Sequence, residues 1–215
     1  MATLIEKQGK LFENILLNRQ LTPPQPGVNP VNPQADCGRQ VEQILEAEYF
    51  AKDKQIHGYY PTFSTGVDVQ SPICYWEIKT RQLGGSSRVN IGAISTQELD
   101  ICQKHNLTFD QTDFSKYACC HLWIFYNKLY KIVRVESHDF GYHRDLYEKA
   151  YKILKNTADV ENKKYIPVLN SEMIWERPSK TATQWSLRVT KRELAKLFQG
   201  CKGQKVLENN GIVFE

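Results

Sequence analysis

The sequence predicts an α/β fold, a sandwich of helices packed on a mixed central sheet. Apolar residues recur at helical spacing in five separate runs, and β-rich runs lie between them. Their order is helix, several antiparallel strands, helix, more strands, which is not the regular alternation of a barrel. A chain of 215 residues suits one domain with an added arm, and 41% apolar residues are enough to fill its core. No apolar run approaches the roughly 18–20 residues that span a bilayer. The opening MATLIEKQGKLFENILL lacks the basic region and unbroken apolar segment of a secretory signal. The expectation is a soluble, intracellular, cytoplasmic protein with no membrane partner.

Residues 3 to 19 read as a helix, with Leu4, Ile5, Leu11, Phe12, Ile15 and Leu16 on one stripe. TPPQPGVNPVNPQ follows, and five prolines in thirteen residues favour an extended path. The expected division is a helical arm at 1–21, a proline-rich linker at 22–35 and the main domain at 36–215. A second helix should start at Asp36 as N-cap and bury Val41, Ile44, Leu45 and Tyr49, with Glu42 and Glu46 sharing a face beside that stripe. YYPTFSTGVDV and ICYWEIKTR read as strands, and QLGGSSRVNIG as a polar connection. A helix follows near STQELDICQKH, capped by Ser95 or Thr96. YACCHLWIFY and KLYKIVRV should form a hairpin turning at Asn127. DLYEKAYKILKNT reads as a helix. TQWSLRV reads as a strand leading into TKRELAKLFQG, a helix that Thr190 caps and Gly200 stops.

Six cysteines are present. None has the C-x-x-C spacing of a zinc site, and adjacent Cys119 and Cys120 read as small buried hydrophobes, so reduced thiols are expected. The net charge of +4 permits a polyanionic partner without requiring one. Its distribution says more: between Pro178 and Lys205 seven basic residues face one acid, Glu193.

The chemistry concentrates in GVDVQSPICYWEIKTR, residues 66 to 81. As a strand, its second half sends Cys74, Trp76, Ile78 and Thr80 to one face and Tyr75, Glu77, Lys79 and Arg81 to the other. Ser71-Pro72 signals a turn. If the chain reverses there, residues whose numbers sum to about 145 face each other, and Asp68 lies opposite Glu77. Two carboxylates that close repel unless a cation sits between them, and hard divalent ions prefer such oxygens. Phosphodiester hydrolysis needs such a site: a metal to activate water and neutralise the phosphoryl oxygens, and a fixed cation, Lys79, at the transition state. Glu42 from the preceding helix is the choice over Glu46 to complete the metal site.

This set, D-x8-E-x-K with apolar residues around each member and a glutamate-bearing helix before it, resembles the PD-(D/E)XK nuclease superfamily. The likeness covers roughly residues 36 to 135, with Gly66 where the name-giving proline often stands. It implies the restriction-endonuclease-like fold, an α-β-β-β-α-β core with a mixed sheet flanked by helices, leaving an N-terminal helical arm and a C-terminal extension outside. It implies Asp68, Glu77, Lys79 and Glu42 as catalytic residues. Asp68, Glu77 and Glu42 would bind Mg²⁺, for which Mn²⁺ may substitute.

For DNA contact the candidates are Arg81 and Gln82 beside the site, Ser86, Ser87, Arg88 and Asn90 in the polar connection, and Arg188, Lys191 and Arg192 in the basic C-terminal region. His138 and His143 are set aside as ordinary histidines. The function expected is a sequence-specific endonuclease of type II restriction character, cutting double-stranded DNA as a homodimer, since two strands need two sites. The alternatives are a structure-selective nuclease, such as a Holliday-junction resolvase or a phage DNA-processing enzyme, and a DNA-binding module with a defunct site.

Overall fold

The computed structural model describes residues 4–23, 33–50, 68–70, 75–85, 87–179 and 181–201. Residues 59–67 of the expected strand YYPTFSTGVDV, the turn at Ser71-Pro72, Gly66, Cys74, Ser86 and most of the proline-rich linker lie outside these residues. Within them the chain is mixed α/β, with five α-helices and two four-stranded sheets in place of the one central sheet expected.

The first sheet has the order β1-β2-β4-β5, made of Val69–Gln70, Tyr75–Gln82, Cys120–Tyr126 and Ile132–Asp139. Its outer pairs are antiparallel and the central β2/β4 pair is parallel, so this sheet is mixed. Parallel neighbours need a crossover. Here it contains β3 (Arg88–Ser95) and α3 (Thr96–Lys104). β3 leaves the first sheet to pair with β8 (Gln184–Thr190). With β7 (Met173–Glu176) and β6 (Tyr165–Leu169) it makes the second sheet, order β3-β8-β7-β6 and antiparallel throughout. The polar connection QLGGSSRVNIG is therefore largely a strand. Its alternation, Val89 and Ile91 inward and then Ile94, is thrown out of phase by a bulge between Asn90 and Gly92. Gly92 is needed there, since a Cβ would lie 3.0–3.1 Å from the Phe114 and Tyr117 rings. The β6–β7 hairpin was not anticipated. Pro167 takes an N–H out of the ladder, which an edge strand tolerates.

α1 (Leu4–Leu16) and α2 (Pro33–Leu45) cover one face of the first sheet. Phe12, Leu16, Cys37, Val41 and Leu45 pack there on Trp76, Ile78, Leu122, Ile124 and Ile132. α2 begins at Pro33, whose locked φ suits a first helical position, so Asp36 sits inside the first turn rather than capping it. α1 is no free arm, for its stripe is buried within its own chain. That stripe runs through Gln8 rather than Leu11, which is 49% exposed. The Gln8 side chain accepts a 2.8 Å bond from the Trp76 indole and donates to the Tyr49 hydroxyl at 3.1 Å. At Gly9 a Cβ would stand 2.4 Å from the Ser137 Oγ, so only glycine lets the helix lie this close to β5. Residues 18 to 21 then pair along the start of β5, with Ile132 N–H bonding the Arg19 carbonyl at 2.8 Å.

The other face of the first sheet turns towards the second sheet, α3, α4 (Arg144–Lys155) and α5 (Lys191–Cys201). Trp123 of β4 joins Phe140, Trp175, Trp185, Leu187, Leu194 and Leu197 in that larger core. Ser95 caps α3 by accepting from Glu98 N–H at 3.0 Å, and Thr190 caps α5 by accepting from Glu193 N–H at 3.2 Å. Gly200 lies within α5 instead of ending it, and a Cβ there would press 2.8 Å from the His143 ring. The β4–β5 hairpin turns at Asn127, whose side chain accepts from the Leu129 and Lys131 amides. The five described cysteines are free, and Cys119 and Cys120 are buried. Among the described residues no helix is long and apolar enough to cross a membrane.

Candidate active site

β2 is covered on both faces. Trp76 and Ile78 face the helix layer, while Glu77, Lys79 and Arg81 face the second core, and Glu77 is only 4% exposed. β1 pairs Val69 with Trp76 and Gln70 with Tyr75, the register with the sum of 145 that a turn at Ser71-Pro72 predicts. Carried one residue further, it brings Asp68 opposite Glu77. Asp68 Oδ2 also accepts the Ile78 N–H at 2.6 Å, which ties the carboxylate to the strand that bears Glu77 and Lys79.

Three carboxylates sense one another here. Burial pushes Glu77 up to about 8, with Asp68 and Glu42 adding to the rise and Lys79 opposing it. Burial likewise raises Asp68 against the pull of Lys79 and of the Ile78 amide. Glu42 rises to about 7 through burial and then the charge of Asp68. Glu46, its neighbour one turn on, is exposed. Lys79 is ion-paired to Glu77, and its Nζ lies 5.7 Å from the centre of the Tyr117 ring. Burial and the charges of Glu77 and Asp68 push the Tyr117 phenol up, so it stays protonated against this acidic group. Among the described residues no three His, Cys, Asp or Glu side chains already stand as a metal-holding group.

The other candidates are scattered. Arg81 lies two residues beyond Lys79 on the same face. Its pKa falls to about 10 through burial and the charge of Arg188. Gln82 ends β2, paired with Tyr126. Ser87 accepts the Lys191 N–H through its carbonyl at 3.2 Å, and Lys191 Nζ reaches the Gly85 carbonyl at 2.8 Å. Arg88 holds the Ser171 carbonyl at 2.9 Å, and Asn90 accepts the Gly92 N–H across the bulge at 2.9 Å. Arg188 is ion-paired to Glu176, and Arg192 to Glu172. Thus Arg88, Asn90, Arg188 and Arg192 brace the second sheet and its neighbours, and Arg81, which senses the charge of Arg188, stands two residues from Lys79 on the same strand face.

His121 escaped the sequence reading, hidden in the apolar run HLWIFY. In the parallel register it is the partner of Glu77, as Trp123 is of Lys79. It is fully buried, and its Nε2 lies 2.9 Å from the Tyr117 carbonyl. Burial first, and then the charge of Lys79, depress its pKa to about 3, so the ring is neutral. A polar residue interrupting an apolar strand beside an E-x-K strand was the signal available. By contrast, His138 bonds Glu136 at 3.0 Å and stacks on Phe198, and His143 bonds the Leu197 carbonyl at 2.8 Å. Comparison with known proteins gives no match: no family model fits the chain, and neither a curated protein nor a solved structure is significantly similar to it.

Proposed function

We propose that this chain is a metal-dependent nuclease that hydrolyses phosphodiester bonds of DNA at Asp68, Glu77 and Lys79, with Glu42 in support. The observation that carries the reading is the β1/β2 register, which sets two carboxylates side by side with a lysine next on the same face.

The donor set fits Mg²⁺ or Mn²⁺. It offers only carboxylate oxygens; Glu42 and Glu77 each have the ionised form opposed by burial and by a neighbouring carboxylate, and Asp68 has it opposed by burial. A divalent ion relieves that opposition. Asp68 and Glu77 would hold it, and Glu42 would complete the set. When bound, such an ion activates water and neutralises the nonbridging phosphoryl oxygens. Glu77 must first turn from Lys79. The Lys79 ammonium, freed on one side, then donates to the attacking water or to a phosphoryl oxygen, where a preorganised cation counts most. Arg81, two residues along the same strand face, brings further positive charge and suits the neighbouring phosphate.

Sequence-specific cutting by a homodimer belongs to the same proposal, with Arg88, Asn90, Arg188 and Arg192 having to exchange partners within the chain for partners on DNA. Incubation with plasmid and Mg²⁺, with and without EDTA, tests the core reading: nicking or cutting that EDTA abolishes is expected. No cleavage over a range of DNA forms, or full cleavage in excess EDTA, overturns it. Discrete fragments from linear duplex support the restriction reading, and cutting confined to four-way junctions supports the resolvase alternative. Light scattering separates a mass near 24.9 kDa from twice that value.

A further inference from the structure

His121 carries a lone pair with nothing to accept. Its Nε2 lies 2.9 Å from a carbonyl oxygen, which can only accept, so Nε2 bears the proton and Nδ1 is a bare acceptor. Nδ1 is buried and has no hydrogen-bond partner. The ring cannot swing away to find one, for Phe140 stacks flat on it with centroids 4.0 Å apart and planes 3° from parallel. Buried acceptors are nearly always satisfied, and an exception calls for a reason.

The surroundings supply one. His121 stands beside Glu77 in the β2/β4 register. Tyr117, whose carbonyl fixes the imidazole, also carries the ring over which Lys79 Nζ lies at 5.7 Å. Lys79 has three N–H donors and is paired to Glu77. That partnership is what cation binding by Glu77 breaks, leaving a buried ammonium beside a like-charged ion. Trp123, next on this face, has a buried Nε1–H without a partner, but a donor cannot take an ammonium.

We propose that His121 is a positioning residue for Lys79: when Glu77 turns to a cation, Nδ1 of His121 accepts the Lys79 ammonium and keeps it at the site. The metal half of this statement rests on the nuclease reading; the exchange of acceptors does not. A neutral acceptor suits the task, because a carboxylate there would compete for the cation. Mg²⁺ prefers oxygen, so the imidazole is left to the lysine.

The exchange is tested without metal or DNA. Glu77→Gln removes the carboxylate charge in nearly the same volume and frees Lys79. In protein labelled with ¹⁵N-histidine, wild-type His121 should be the Nε2–H form. Its Nδ1 resonance should move upfield in Glu77→Gln, as an accepting nitrogen does, and return in the Glu77→Gln/Lys79→Met double variant. Protonation on Nδ1 in the wild type, no movement in Glu77→Gln, or equal movement in the double variant overturns the proposal.

A second arm uses cleavage. His121→Asn places a carbonyl near the Nδ1 position, and His121→Gln places an amide near Nε2, preserving only the Tyr117 bond. The Gln variant should lose roughly tenfold or more in kcat relative to Asn, with KM moved less. A purely structural histidine would favour Gln or show no difference, and either result overturns the positioning role. A wild type that cuts nothing removes the nuclease reading, while the resonance still decides the fate of His121.

Discussion

The two sheets have four strands each and differ in what they bury. Every buried residue on the strands of the second sheet is apolar. The strands of the first bury Glu77, Thr80, His121 and His138. The tryptophans repeat the contrast. Trp175 of β7 donates its indole N–H to the Ala150 carbonyl at 2.8 Å, whereas Trp123 of β4 buries the same group with no partner. Buried polar groups without full partners lower stability and persist where something other than stability selects them. The contrast fits the second sheet as the support and the inward face of the first sheet as the place of the proposed site.

The largest expected effect breaks function and spares the fold. Asp68→Ala, Glu77→Ala and Lys79→Ala should each reduce cleavage about a thousandfold or more, with the folded circular dichroism spectrum kept. Wild-type rates in two of them would end the assignment. Next comes the reverse. Trp175→Ala should lose about 3–5 kcal/mol in urea titration by opening a cavity in the second core. A change under about 1 kcal/mol would mean that this core is not the support.

The third prediction uses pH. The folded pKa of Glu77 is raised from 4.5 to about 8 by burial, so between those values the folded state holds a proton that the unfolded state has released. Stability of the metal-free protein should therefore fall as pH rises from about 4.5 to about 8, and Glu77→Gln should flatten that fall. An identical slope in the variant would remove Glu77 as its source. The smallest effect concerns the helix layer. Gly9→Ala should destabilise by about 1–3 kcal/mol through overpacking against Ser137, and Ser137→Gly should recover part of it.

Much of the first sheet was legible in the sequence. The β1/β2 register follows from one turn signal, and the two faces of β2 from strict alternation, because both are local facts. The second sheet was not. β3 is disguised by its serines and glycines and by a bulge that shifts its phase, and β6 by Pro167. Which sheet a strand joins is a long-range choice that no local pattern records. Depth was not legible for the same reason: alternation assigns Glu77 to a face of β2, but not that this face is buried. His121 stayed hidden because an apolar run reads as core until its neighbour is known to be Glu77.

The parallel pairing of β2 with β4 also has a consequence for how the chain is made. As it leaves the ribosome, β2 emerges well before β4, with the whole β3–α3 crossover between them. Until β4 arrives, one edge of an eight-residue strand lacks its partner, and such an edge invites pairing with any other extended chain. Pairing across that much sequence is slow. β3 must wait longer still for β8, Arg88 for Thr190 against Trp76 for Cys120, so the second sheet should be the last to assemble and the face that carries Glu77 and His121 the last to be covered.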